Sequence, residues 1–511
     1  MRNYIIGRLI RSVISIFLVV TLAIILIYTM VPRNNVFQND PMISKLAAKP
    51  DERVRYKHDA WEKLGYIDFH ELREMCVNAG LDGDACMLIT TEETVVDGET
   101  VSKVVLPSEA EKAKEYYEAE GWTVEKYQIS GLYYAYRDRS VLSIVTGWFS
   151  NLVQIDNPWR VNDALNPELE RKIYLEADHN GVPALKCSGC DNKYLIYFNS
   201  SFPFIHQNIV SLNFGISYPS YSGNEIGSVI SKNQGSPVQS QITFDTGYTS
   251  NSAANLHKCK YKATSTLDSM DAKKFNDNYA NCESNLSDPS MVTTSMIFGL
   301  FALIISYGIG LPAGILMASK KDKLADKIGM VYINFMIAVP SLAFIYFAKT
   351  IGNKLGFPDK FPTFGAHDVR SYILPMFILG ILSTAGLMIW IRRYMIDQSS
   401  SDYVKFARAK GLSQREIFTK HVLRNAIIPI VNGIPGSIIL TISGSVITET
   451  VFAIPGMGKM LPDSIKAYNN NMVVSLTFIF TSLSILSLLL GDILVTLVDP
   501  RISLTSKGGT R

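Results

Sequence analysis

Three kinds of catalytic or nucleotide-binding motif are absent from this sequence of 511 residues. It has no GxxxxGK[ST] phosphate loop, no helix with the His and Glu spacing of a metalloprotease, and no GxSxG turn for a nucleophilic serine. These absences argue against an ATPase, a zinc protease and an α/β-hydrolase. We therefore expect no enzyme activity, no catalytic residue and no cofactor or metal site in this chain, and nothing indicates a nucleic acid partner.

Charged residues are nearly absent from six long apolar stretches. Each stretch reaches the ~20 residues that a helix needs to cross a bilayer. The six run over Ser12–Val31, Met291–Ser319, Ile328–Ile351, Tyr372–Ile391, Ile430–Phe452 and Met472–Val498. The first is too long for the apolar part of a signal peptide, and no small-residue cleavage site follows it, so we interpret it as a retained span.

Asp492 is the clear ionisable residue inside these stretches. We expect it to pair with a basic group or to cap a break in the backbone. The sequence has no chain of buried carboxylates of the kind that an ion-coupled transporter often uses. Several stretches contain helix breakers, Pro340 among them. Breakers at membrane depth suit helices that line a cavity, although Gly and Pro are also common in ordinary membrane helices.

Basic residues are concentrated in short segments outside the spans. Residues 1–11, 320–327, 392–429 and 499–511 together hold 18 basic and 6 acidic residues, whereas Pro32–Ser290 holds 25 basic and 35 acidic residues. Short loops rich in Lys and Arg stay in the cytoplasm. The sequence therefore predicts a multi-pass membrane protein with both termini in the cytoplasm and the acidic segment outside.

The acidic segment 32–290 holds all six cysteines and is too long for a plain loop. We expect it to fold as a large mixed α/β extracellular domain inserted between the first and second spans. An even cysteine count on an oxidising side predicts disulfides, and the simplest of the 15 connectivities is Cys76–Cys86, Cys187–Cys190 and Cys259–Cys282. Cys187-Ser-Gly-Cys190 is alternatively a redox pair or half of a zinc site, although no second CxxC or HxxxH motif completes such a site.

A basic segment between the fourth and fifth spans, about residues 397–428, carries the clearest local pattern. Asp402 is a natural N-cap for a short helix, and Gly411 ends that helix. Ser413 and Glu416 have the spacing of a capping box that starts a second helix. Two interpretations remain open from the residues alone: the segment transmits rigid-body movement from another protein, or it rests on anionic lipid headgroups.

The string Phe406-Ala-Arg-Ala-Lys-Gly-Leu-Ser413, followed by His421-Val-Leu-Arg-Asn-Ala-Ile-Ile-Pro429, closely resembles the EAA-type coupling loop of ABC importer permeases of the oligopeptide type. Two further stretches fit that family: Glu449-Thr-Val-Phe-Ala-Ile-Pro-Gly-Met-Gly458, and Gly491-Asp492 with Asp499-Pro500-Arg501. The large insertion resembles that of the Ami-type oligopeptide permeases of streptococci and their relatives. The chain departs from many importers at Lys405-Phe406, where they have Glu-Ala, and its six cysteines are unusual for the group.

The resemblance implies an all-α membrane domain with the six transmembrane helices of the ABC importer permease fold. Residues 1–31 would hold the N-terminal segment and first helix, 32–290 the extracellular domain, 291–500 the permease core and 501–511 a cytoplasmic tail. The implied partners are a homologous second permease, two ABC ATPase subunits that bind ATP and Mg, a peptide-binding lipoprotein, an oligopeptide substrate and the lipid bilayer.

The resemblance also assigns a coupling role to nine residues that would lie in a cleft of one ATPase: Asp402, Tyr403, Phe406, Ala407, Arg408, Ala409, Lys410, Gly411 and Leu412. Small Ala407 and Ala409 beside Gly411 would let another surface approach closely. A competing hypothesis is a membrane-anchored receptor or sensor with a ligand-binding extracellular domain. That hypothesis requires a cytoplasmic output domain, and the sequence offers only short loops there.

Overall fold

A computed structural model describes residues 2–88, 90–96, 99–200, 203–442 and 445–498. The predicted tail 501–511 and the Asp499-Pro500-Arg501 motif lie outside these residues. Long apolar helices and a region rich in strands, placed between the first two of them, make up the described part.

Five helices in the described part are long and apolar enough to cross a membrane. They are Ile6–Met30, Met291–Ser319, Arg370–Ser399, Ile428–Phe452 and Asn470–Val498. The fourth consists of Ile428–Ile442 and Val446–Phe452, with undescribed residues 443–444 between them. Large apolar side chains are exposed along the first helix, for example Val13 at 65% and Leu18 at 60%. Such a surface is expected of a helix whose outer face contacts lipid.

The third predicted span is not a single helix. Helices Leu324–Ala338 and Ser341–Lys354 meet at an angle of 106°. Pro340 has no N–H to donate, and its ring disfavours a helical conformation for Val339, which is extended at φ −76° and ψ 127°. The described residues therefore supply five candidate spans, or six if this bent pair counts as one.

Glycines bring helices Met291–Ser319 and Arg370–Ser399 close together. A Cβ atom added at Gly314 would lie 2.1 Å from Cγ2 of Ile391, and one added at Gly380 would lie 2.8 Å from Cβ of Ile305. Small residues of this kind let membrane helices pack at short range. Such packing matters in a bilayer because the hydrophobic effect does not drive helices together there. These close approaches hold the two helices against each other.

Antiparallel strands and short helices fill the region between the first two long helices, which we call the insert (residues 32–290). One sheet has the strand order Ile67–Glu71, Tyr133–Asp138, Thr123–Lys126, and another has the order Ile205–Gln207, Tyr194–Phe198, Pro183–Ser188, Lys172–Ala177. Two-stranded ribbons pair Thr90–Val96 with Glu99–Val105, Val153–Ile155 with Val210–Leu212, Gln234–Pro237 with Leu286–Asp288, Ser240–Thr243 with Thr249–Ser252, and Ala254–Lys260 with Asn281–Ser284. The α-helices are Pro41–Lys45, Pro50–Lys63, Leu72–Asn78, Ser108–Ala119, Val141–Leu152, Ile226–Ser231 and Ser269–Lys274.

Three disulfides join cysteines within the insert. They link Cys76 to Cys86, Cys187 to Cys190 and Cys259 to Cys282, the pairs that the nearest-neighbour interpretation selects. Cys259 and Cys282 face each other across the ribbon of strands Ala254–Lys260 and Asn281–Ser284. A disulfide typically contributes about 2–4 kcal/mol by restricting the unfolded chain, and it contributes less when the loop that it closes is short.

Three consecutive asparagines tie the insert to the start of the last long helix. The Asn469 side chain donates to Oγ of Ser217 (2.8 Å), and the Asn470 side chain donates to the hydroxyl of Tyr66 (2.5 Å). The Asn471 side chain donates to the carbonyl of Ile216 (3.3 Å). All three asparagines are buried, so these bonds also satisfy polar groups that water does not reach.

The insert also packs on the long helices through its own apolar helix, Val141–Leu152. Val145 of this helix shares a buried cluster with Val20, Ile24 and Val474. Phe149 contacts Phe17 of the first long helix, with ring centroids 4.8 Å apart. The insert is therefore fixed to the membrane part by both apolar packing and buried hydrogen bonds.

Candidate functional site

The predicted coupling segment begins with helix Asp402–Ala409. Its N-cap is Ser401 and not Asp402, which lies in the first turn and pairs with Lys405 at 2.8 Å. A carboxylate in the first turn still interacts favourably with the helix dipole. The shift by one residue leaves the position of the helix as predicted.

The turn at Gly411 is a Schellman motif, as its hydrogen bonds show. The N–H of Gly411 donates to the carbonyl of Arg408 (2.9 Å), and the N–H of Leu412 donates to the carbonyl of Ala407 (3.3 Å). Gly411 has φ +78°, and a Cβ atom there would meet nothing within 4 Å. Glycine is therefore favoured at this position by the backbone conformation and not by lack of space.

A second helical stretch follows the turn. Ser413 and Glu416 form the predicted capping box, in which the side chain of each residue accepts a hydrogen bond from the backbone N–H of the other. The pKa of Glu416 is held below its usual value mainly by the hydrogen bond from the Ser413 hydroxyl. The Ser413 backbone N–H and Lys420 lower it further. The predicted helix is confirmed in position, but Ile417–Val422 is wound as a π-helix before Leu423–Ala426 resumes the α form. Such π segments are uncommon and often accompany function.

The segment turns one face toward the long helices. Val404 and Ala407 are 1% and 6% exposed, and they pack with Ile391 and Met395 of helix Arg370–Ser399. The expectation that Ala407 gives room to a second protein is therefore wrong, because its methyl group lies in the chain's own core. Its small size instead lets helix Asp402–Ala409 approach the long helices closely.

The opposite face is exposed and carries an unusual side chain. Phe406 is 71% exposed, although burying a phenylalanine contributes about 1.5–3 kcal/mol. The remaining exposed members of the predicted site are Asp402, Arg408, Ala409, Lys410, Gly411 and Leu412, while Tyr403 is half-buried. An aromatic ring surrounded by basic and small residues is a shape that a partner's pocket can receive.

Polar contacts connect the segment to helix Arg370–Ser399, and that helix to its neighbour. The Tyr403 hydroxyl donates to Oε1 of Gln398 at 2.8 Å. Further along helix Arg370–Ser399, the guanidinium of Arg392 forms two hydrogen bonds to the buried carboxylate of Asp326. Tyr403 therefore links helix Asp402–Ala409 to Arg370–Ser399, and Arg392 links Arg370–Ser399 to Leu324–Ala338.

Asp492 pairs with a basic residue, as predicted. Its Oδ2 lies 3.0 Å from Nη2 of Arg8 in the first long helix. The pair joins the first and last long helices, and it removes the cost of leaving either charge alone in an apolar environment.

Glu449 is a buried carboxylate that the sequence reasoning did not single out. It is 2% exposed and accepts hydrogen bonds from the Ser295 hydroxyl (2.8 Å) and the N–H of Lys459 (2.9 Å). The Lys459 contact satisfies one of the free N–H groups at the start of helix Met457–Lys466, and the N–H of Met457 in turn donates to the Ser295 hydroxyl. Glu449 also borders a cavity of about 180 Å³ between the long helices. Its place in the string Glu449-to-Gly458 was the available signal.

The chain has the features of a membrane component of a transport system, namely several apolar helices and a structured loop that presents an exposed aromatic ring. The family described as "Binding-protein-dependent transport system inner membrane component" matches residues 310–504. That match covers the coupling segment, the bent pair and the last long helices.

The particular family follows from full-length similarity. The chain is 43% identical over 511 residues, covering 100% of both chains, to the oligopeptide transport system permease protein AmiC of Streptococcus pneumoniae. It is 35% identical over 211 residues to the dipeptide transport system permease protein DppB of Lactococcus lactis, covering 41% of this chain and 69% of that protein. The chain therefore belongs to the oligopeptide permease family of ABC transport systems, and this membership favours transport over the receptor alternative.

A solved structure of the MetNI methionine ABC transporter in inward-facing conformations is a more distant match. Its TM-score is 0.34 at 15% identity, covering 41% of this chain and 94% of that chain.

Proposed function

We propose that this chain is the permease subunit of an ATP-driven oligopeptide importer and forms half of the peptide pathway. One observation of the structure carries the coupling part of this proposal: a basic turn with an exposed Phe406 is built rigidly onto the long helices. The full-length similarity to an oligopeptide permease supports the substrate class.

The partners of the proposed importer are a second, homologous permease, two ABC ATPases and a peptide-binding lipoprotein. ATP and Mg belong to the ATPases, and this chain supplies no group to hydrolysis. Phe406, Arg408, Lys410 and Leu412 lie in a cleft of one ATPase. Closure of the ATPase pair on ATP moves this surface as a rigid body, because Val404 and Ala407 are packed into the long helices.

The orientation follows from the distribution of charge. The basic segments, including the coupling segment, face the cytoplasm, and the acidic insert lies outside the membrane. The insert either receives the lipoprotein or contacts the peptide itself. Its three disulfides agree with an oxidising location.

The coupling role is tested with Phe406→Ala in cells that lack the native gene. We expect the variant to reach the membrane but to lose most uptake of a labelled oligopeptide and to retain less ATPase on purification. Lys405→Ala is the matched control, because Lys405 is exposed on the same helix and its ion pair with Asp402 is a surface pair worth about 0–1 kcal/mol. Equal uptake by the two variants would contradict the proposed contact.

A further inference from the structure

Two histidines and an aspartate converge in the insert. Oδ2 of Asp178 lies 2.7 Å from Nε2 of His257, and these residues are 79 positions apart in the sequence. His179 completes the group, since one donor atom from each of the three residues lies within 4.8 Å of the others. Their separation along the chain explains why the sequence shows no metal-binding spacing here.

The scaffold orients each donor atom. Asp178 lies in the turn between strands Lys172–Ala177 and Pro183–Ser188, where its Oδ1 accepts the N–H groups of Asn180 (2.8 Å) and Val182 (2.9 Å). Those bonds leave Oδ2 directed at His257. Carboxylates held in this way by outer hydrogen bonds are typical of metal sites, where they fix the direction of the ligand atom.

Ring contacts fix the imidazoles. The His257 ring stacks on Tyr197 with centroids 4.5 Å apart and an interplanar angle of 10°. The His179 ring is tilted by 50° relative to the His257 ring, with the two ring centroids 4.5 Å apart. The side chains of Asp178 and His257 are 1% and 7% exposed, whereas His179 is exposed. The group is thus a partly buried site with one accessible ligand.

An open cavity of about 780 Å³ gives access to the cluster. Asp178, His179 and His257 line it together with amide and hydroxyl side chains, among them Asn180, Asn199 and Thr243. Two imidazoles, one carboxylate and a position open to water match the ligand set of zinc sites that keep a free coordination position. The same ligand set also binds other divalent first-row transition metals, and its affinity for them follows their general order of affinity for nitrogen and oxygen ligands.

We propose that Asp178, His179 and His257 bind one divalent transition-metal ion of the zinc type, with water from the cavity as the fourth ligand. The ion joins the turn after strand Lys172–Ala177 to strand Ala254–Lys260. Because the three ligands come together in the folded chain, binding stabilises the insert by mass action. The simpler alternative is a hydrogen bond between Asp178 and His257 alone, in which His179 takes no part.

The site is tested on the full-length chain, purified in detergent with a tag free of histidine and stripped with a chelator. Titration with ZnCl₂, followed by calorimetry and by metal analysis after desalting, is expected to give one Zn²⁺ per chain and a higher Tm. His179→Ala should weaken binding about 100-fold or more, since even outer-shell losses cost about 10–100-fold. This variant should fold normally, because His179 is exposed.

His206→Ala is the matched control. His206 stacks on Tyr197 at 5.3 Å but lies outside the group of donor atoms, so its loss should leave Zn²⁺ binding unchanged. His257→Ala should abolish binding, and His179→Ala keeps the test informative if the former variant fails to fold. The proposal is overturned if the stripped wild-type chain binds no Zn²⁺, or if His179→Ala binds it as tightly as the wild type.

Discussion

Arg392 and Asp326 form a bidentate ion pair, with Nε and Nη2 of the guanidinium 2.6 and 2.7 Å from the two carboxylate oxygens. The pair joins helix Arg370–Ser399, which leads into the coupling segment, to Leu324–Ala338, the first half of the bent pair. Asp326 also accepts the N–H of Asp322 at 2.9 Å. The contact therefore joins the helix that leads into the coupling segment to the helix that ends before Pro340.

Replacing Arg392 with alanine tests this connection. Its loss leaves the buried Asp326 carboxylate, 4% exposed, without its hydrogen-bonded cation and should cost about 3–5 kcal/mol in stability. Arg392→Lys should restore little, because an ammonium cannot make both hydrogen bonds of the fork. The measurements are thermal unfolding in detergent and peptide uptake.

Arg393→Ala provides the control for that experiment. Arg393 is the exposed neighbour of Arg392 and lies over the Trp390 ring, 5.1 Å from its centroid. We expect its loss to change the Tm by little and to leave uptake near normal. If Arg392→Ala behaved like Arg393→Ala, the ion pair would have no part in holding the helices together.

Gly411 gives a test of backbone conformation alone. With φ +78° and open space around it, Gly411→Val should disrupt the turn by strain and should abolish uptake while the protein stays in the membrane. Gly411→Asn should retain much of the uptake, because asparagine tolerates the left-handed conformation. Equal loss in both variants would mean that the side chain itself blocks docking, and unchanged uptake in Gly411→Val would remove the turn from the coupling mechanism.

The sequence predicted those parts of the structure that are determined by residues close to one another along the chain. Helix Met291–Ser319 was predicted with its observed bounds, because an apolar run of this length is typical of a helix that crosses a membrane. Gly411 and the Ser413–Glu416 capping box were predicted because helix ends use few residue types.

Features set by tertiary contacts could not be predicted in the same way. Pro340 breaks its helix at 106°, whereas Pro312 and Pro375 lie inside continuous helices, and all three look alike in the sequence. Ala407 was assigned to a partner's surface, but its burial depends on the crossing of helix Asp402–Ala409 with the long helices. Asn470 had no local signal at all, because its partner Tyr66 is 404 positions away.

Asn470 should be important for the attachment of the insert. Asn470→Ala leaves the buried Tyr66 hydroxyl without this donor, which should cost about 1–3 kcal/mol. Asn251→Ala on the exposed ribbon strand Thr249–Ser252 is the control and should be neutral. Limited proteolysis within residues 32–290 and thermal unfolding measure the effect. Equal protease sensitivity in the two variants would show that the junction does not depend on this bond.

The disulfides allow two predictions, namely which bridge stabilises the insert more and whether either bridge affects ATP hydrolysis. Removing Cys259–Cys282, with a sequence separation of 23, should destabilise the insert by about 3.4 kcal/mol, because loop-closure entropy grows with loop length. Replacing Cys187 and Cys190 with serine, at a separation of 3, should cost only about 1.6 kcal/mol by the same relation. Both double variants should leave the basal ATP hydrolysis of the purified complex unchanged, since all four cysteines lie in the insert. Thermal unfolding under non-reducing conditions compares the stability losses of the two variants. A hydrolysis assay on the same samples shows whether either loss reaches the ATPases. A fall in basal hydrolysis in either variant would mean that the insert and the ATPases communicate through the long helices.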